Sequence, residues 1–217
     1  MRAPLGPSRW RDAADLAVLL GSRVSERARG YAAAVEFLRI ILLCVAGAVL
    51  YGVVHDQVTV RISPEYFTVG HARIIGSDSH TLIALAWGVV ASWWMGLILG
   101  VPLAILCRVG RAPRWTARDL APHLGVLLAL MGLGATVAGA AEHVAGLGVG
   151  GGTYSIDGVA FTPDQRRHFQ VAAAAHAASY TCGTLGAVAL GAFILSRRRV
   201  LRVRAERRAA GSNPPPQ

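Results

Sequence analysis

Four apolar stretches, over 36–54, 82–107, 124–145 and 169–196, decide what this chain can fold into. An α-helix rises 1.5 Å per residue, so a stretch of about 20 residues crosses a hydrocarbon core of about 30 Å. Each stretch reaches that length with its interfacial ends. Only 16% of the 217 residues are charged and mean hydropathy is +0.45, against about 25% charged in a soluble domain. The expected fold is an all-α membrane protein, a bundle of four transmembrane helices. The first span is the tightest: Arg39 has to snorkel to a membrane surface, with Glu36 one turn away as its partner.

The arginines orient the bundle. All 22 basic residues are arginine. Seventeen fall in 1–35, in 108–123 and in 197–217, and four fall in the two opposite loops, 55–81 and 146–168. The positive-inside rule then places both termini in the cytoplasm. Such clustering at segment ends, without interleaved aromatics, argues against nucleic acid as the partner of the +10 net charge. The basic termini instead suit anionic headgroups of the lipid bilayer. No cleavable leader is expected, because the first apolar run follows a polar, basic segment and no small-x-small site follows it. Cys44, Cys107 and Cys182 lie in or at the ends of spans and read as small buried hydrophobes.

Along the chain, 1–35 forms a cytoplasmic amphipathic segment. Its helix puts Trp10, Ala13, Leu16 and Leu20 on one broad side, either flat on the inner leaflet or solvated ahead of the first span. Gly88, Ser92, Gly96 and Gly100 recur every four residues in the second span. That ridge admits a closely approaching helix, from the same chain or from a second copy in a homo-oligomer. Pro102 is expected to kink the cytoplasmic end of this span. In 55–81, Val58, Val60 and Ile62 alternate, which predicts a short β-ribbon followed by a helical turn at Ser63–Pro64. The sequence TPDQ opens the fourth helix, with Thr162 as N-cap, Pro163 at the first helical position and Gln165 completing a capping box. The GLGVGGGT loop and the terminal GSNPPPQ read as flexible.

Six of the seven histidines fall in the outer half; only His123 lies inside. His55 and Asp56 stand just past a first span ending near Val54, so they are either a wetted helix end or one wall of a site. Glu142 and His143 end the third span at similar depth. His176 sits about 10 Å inside the fourth, with Tyr180 one turn further on the same face. Its VAAAAHAAS surroundings are small enough for close helix packing, and an ionisable residue inside a span is a functional candidate by default. With Glu65 and His71 of the first outer loop, these groups form the candidate binding mouth. Any metal is to be held by His55, His143 or His176; a haem would take His143 and His176 as its axial pair. No HExxH, GxSxG or phosphate-binding loop is present, so the signal for an enzyme is weak.

The segments YGVVHDQVTVRISPEYFTVGH, ALAWGVVASWWMGLILGVPLAI and HAASY resemble a family of small bacterial integral membrane proteins without an established activity. The likeness covers most of 50–185. It implies a multi-pass protein of the bacterial cytoplasmic membrane with the HDQ and EYFT segments outside, and it carries no catalytic assignment. The expected function is binding of a partner or small solute at the outer mouth; the alternative is a metal- or haem-dependent redox protein.

Overall fold

The computed structural model describes residues 7–147, 155–156 and 158–211. It is a helical bundle. The helices are α1 (Pro7–Ile62), α2 (Pro64–Thr68), α3 (His80–Val90), α4 (Trp93–Arg108), α5 (Ala117–Ala145) and α6 (Pro163–Gly211). Four stretches are long and apolar enough to cross a membrane: Gly21–Ile62, His80–Arg108 (α3 with α4), Ala117–Ala145 and Pro163–Ala210. Large apolar side chains such as Leu50, Val126, Leu133 and Val188 stay on the outside of the bundle.

The first helix is longer than the sequence suggests at both ends. It runs unbroken from Pro7 to Ile62. Its far end passes Val54 by two turns, so Val58, Val60 and Ile62 are helical. The expected ribbon is therefore corrected. Alternation of β-branched residues over five positions also satisfies a helix whose other faces are engaged: Val60 is fully buried, and Gln57 and Arg61 reach across to Thr81. A two-stranded ribbon lies in the other loop of this end, pairing β1 (Ser155–Ile156) with β2 (Val159–Ala160). The expected turn at Ser63–Pro64 is α2, whose N-cap Ser63 accepts from the Tyr66 amide at 3.3 Å. Most of the GLGVGGGT loop, the terminal SNPPPQ and the side chains of 7–20 lie outside the described residues.

The second apolar stretch is interrupted at Ala91–Ser92, between α3 and α4, and Pro102 sits inside α4. The break faces Gly52 of α1, where Ser92 and the Gly88 carbonyl press against the glycine backbone. The small-residue ridge is spent within the chain. Gly88 packs on Val53, Gly96 on Val45 and Gly100 on Cys44, all on α1.

One end of the bundle is basic and tightly closed. Glu36 takes Arg39 at 3.3 Å and accepts the Ala117 amide at 2.7 Å, covering one of the free amides that open α5. Thr116 and Asp119 complete a capping box there. Arg198 of α6 is 4% exposed. It donates to the carbonyls of Pro113 at 2.8 Å, Val109 at 2.9 Å, Ala112 at 3.1 Å and Leu106. One guanidinium thus covers the carbonyls that end α4 and the loop after it. Arg198→Ala is expected to lower stability by at least ~3 kcal/mol, since hydrogen bonds to charged groups contribute about 1.5–3 kcal/mol each. Arg198→Lys should recover little of it, because a compact ammonium cannot fork to four carbonyls. Thermal unfolding in detergent reads both variants.

Candidate functional site

At the opposite end, α1 and α6 meet along a polar ladder. Tyr51 and Ser179 form the first rung, 2.6 Å apart. Ser179 donates its only proton to the Ala175 carbonyl at 3.0 Å, so the Tyr51 hydroxyl is the donor between them. One turn further out is the second rung. His176 Nε2 lies 3.1 Å from Asp56 Oδ1, and His176 Nδ1 lies 2.9 Å from the Ala172 carbonyl. Asp56 is 5% exposed and His176 9%.

The hydrogen-bond inventory fixes the protons. A carbonyl only accepts, so Nδ1 carries a hydrogen and donates it to Ala172. One more proton is shared between Nε2 and Oδ1, whichever atom holds it, and the pair is neutral overall. His55 stands beside it, with ring centroids 4.5 Å from His176 and the two rings edge to face. The Nε2 of His55 is buried and has no hydrogen-bond partner among the described residues. One donor atom each from His55, Asp56 and His176 falls within 4.8 Å of the others. The wetted-end reading of His55 and Asp56 is thus corrected, because a helix two turns longer places them inside the bundle.

These donors fit a first-row divalent metal. Ligand atoms of a tetrahedral zinc centre stand about 3.3 Å apart, given bonds of about 2.0–2.1 Å. The Asp56–His176 pair, at 3.1 Å, already has that spacing, and a small shift of the His55 ring would bring in the third. His176 Nδ1 donates to a backbone carbonyl, the usual outer support of a ligating imidazole.

The cluster opens onto an interior cavity of about 160 Å³. Around its outer end stand Tyr66, Phe67, His71 and Trp87, with Tyr66 stacked on His176 at 4.4 Å between centroids. Burial pushes the Tyr66 hydroxyl up to about 12, so it stays a proton donor. Tyr180 lines the same cavity. Further in, Leu99, Leu103, Leu124, Leu127 and Met131 make the wall apolar. They offer no polar track toward the basic end.

The other expected site residues are placed differently. Glu65 accepts from Ser63 at 3.1 Å and from Gln165 at 3.1 Å, tying α2 to the start of α6. It is a tether rather than part of the cavity wall. His71 Nδ1 donates to the Tyr66 carbonyl at 2.7 Å and its ring packs on Trp87, so it shapes the cavity mouth. Glu142 is 2% exposed and His143 is exposed; neither lines this cavity. His143 borders a separate lateral groove, and Arg167 donates to its carbonyl. The expected haem pair of His143 and His176 is corrected accordingly. The two imidazoles face different spaces, His176 the inner cavity and His143 the lateral groove.

Sequence reasoning missed Tyr51, Tyr66 and Ser179. Tyr51 precedes His55 by one helical turn and Ser179 follows His176 by three residues, a spacing that continues the same two faces. Comparison with known proteins finds no matching family, no matching curated protein and no matching solved structure. The likeness to small bacterial membrane proteins therefore rests on the quoted segments alone.

Proposed function

We propose that this is a four-span protein of the bacterial cytoplasmic membrane, with both termini inside, whose outer half binds one divalent transition-metal ion through His55, Asp56 and His176. The observation that carries this reading is the buried, unpartnered Nε2 of His55 beside the Asp56–His176 pair. An unsatisfied buried acceptor costs about 1–3 kcal/mol, and a cation would remove that cost. Two imidazoles and a carboxylate suit zinc, iron(II) or copper(II). They also leave at least one coordination position free, facing the small cavity where a solute or water would sit beside Tyr66 and Tyr180.

Metal content of protein purified in mild detergent tests the proposal. One equivalent of metal is expected in the wild type, and less than about a tenth of that in His176→Ala, since losing one of three ligands removes most of the affinity. Cobalt(II) substitution should give the visible absorption of a four-coordinate nitrogen/oxygen centre. Binding should also release about one proton per ion, the one now shared by Nε2 and Oδ1, read with a pH indicator in weak buffer. Wild-type protein that takes up no zinc, iron, copper or cobalt would overturn the reading.

A further inference from the structure

Between the outer halves of α1, α5 and α6 runs an open groove of about 680 Å³. Its walls are two helical stripes. Val54, Val58 and Ile62 make one; Gly132, Ala135, Thr136, Gly139 and Ala140 make the other; Val171 and Ala175 close the floor. Small residues on α5 create the hollow, because glycine and alanine leave unfilled what leucine would occupy. From Gly132 to His143 the groove extends about 16 Å along the helix. That is about half of a 30 Å hydrocarbon core, the depth of one leaflet.

The rim has the opposite chemistry. Arg61, His143 and His168 line the outer end, and among the described residues no carboxylate lines the groove. Among the described residues Arg61 is held by neutral groups, the Gln57 carbonyl, Gln57 Oε1 at 3.0 Å and Thr81 Oγ1 at 3.4 Å, with no carboxylate in an ion pair to it. Arg167 stands beside His143. An apolar slot one leaflet deep with a cationic rim matches an acyl chain carrying an anionic headgroup.

We propose that this groove is a binding site for a single phospholipid of the outer leaflet, its acyl chain lying between α1 and α5 and its phosphate at Arg61, His143 and His168. Tyr51 and His55 line both the groove and the inner cavity, so the chain closes the lateral side of the His55–Asp56–His176 cluster. The inference rests on the membrane placement above and is independent of the metal.

Native mass spectrometry of full-length protein, purified in mild detergent and supplied with phosphatidylglycerol, tests it. One retained lipid is expected on the wild type. Thr136→Trp with Ala140→Phe fills the slot from two exposed positions and should abolish retention. Val137→Trp, exposed on the same helix but outside the groove, should keep it. Arg61→Gln should weaken retention roughly fivefold, as expected for one basic residue at an anionic surface, while Arg73→Gln should not. Equal retention in the filled-groove and Val137→Trp proteins would overturn the proposal. So would finding that the species lost on filling the groove is a second copy of the chain. Carbonate washing of membranes reads the placement separately: release of the protein would defeat the membrane reading itself, whereas retention with unchanged lipid binding would defeat only the groove.

Discussion

His176→Ala is expected to destabilise the protein more than Asp56→Ala, by roughly 2 kcal/mol, although both remove the same 3.1 Å hydrogen bond. The asymmetry comes from what each leaves behind. Without Asp56, His176 keeps its Nδ1 hydrogen bond to Ala172 and is left with one unsatisfied acceptor, a loss of about 1–3 kcal/mol. Without His176, Asp56 is a buried group, itself 5% exposed, that only accepts while ionised. Removing one partner of a buried charged pair typically costs about 3–5 kcal/mol. Asp56→Asn separates structure from ligation. Its amide can donate to Nε2 and keep the pair closed, so stability should fall by about 1 kcal/mol or less, while metal is lost because the amide is a poor ligand. Denaturation midpoints in mixed micelles, measured with and without chelator, read all three variants. Equal losses in the two alanine variants would mean that no charge is at stake in the pair.

How much of this was legible beforehand follows from the range of each signal. The four spans and the capping box of Thr162 and Gln165 are local, and the hydrogen bonds of that box are present. So is the Glu36–Arg39 pair, whose further link to the Ala117 amide 81 positions away is not local at all. The end of α1 is not legible in the sequence, because His55 and Asp56 look like a wetted terminus when their neighbours in space are unknown. The partner that lets them stay inside is His176, 120 positions on. Depth alone likewise suggested grouping His143 with His176. Depth sets only one coordinate of a side chain; the rotation of α5 and α6 about their axes, fixed by packing, sends the two imidazoles to different spaces. The ridge of Gly88, Ser92, Gly96 and Gly100 stated that a helix approaches closely, and the structure supplies which one.

That ridge carries the second large expected effect. Gly88→Ala and Gly96→Ala should each lower stability by about 1–3 kcal/mol, and together they should prevent accumulation of folded protein. A Cβ at Gly88 would stand 2.6 Å from Val53 Cα and 2.7 Å from its nitrogen; at Gly96 it would stand 2.7 Å from Val45 Cα. These are backbone atoms, so no side-chain rotation relieves the contact and α1 must move away from the second span. The movement is costly beyond the ridge itself, because His55 and Asp56 ride on α1 and reach His176 only in its present position. Metal content and the Asp56–His176 pair should therefore suffer in Gly88→Ala even though the substitution touches neither. Gly125→Ala in α5 is the internal control: nothing lies within 4 Å of its added carbon, so helix propensity alone acts and stability should hold or rise by up to ~1 kcal/mol. Equal behaviour of Gly88→Ala and Gly125→Ala in thermal unfolding would mean that α1 does not approach the second span this closely, and the placement of His55 and Asp56 would fall with it.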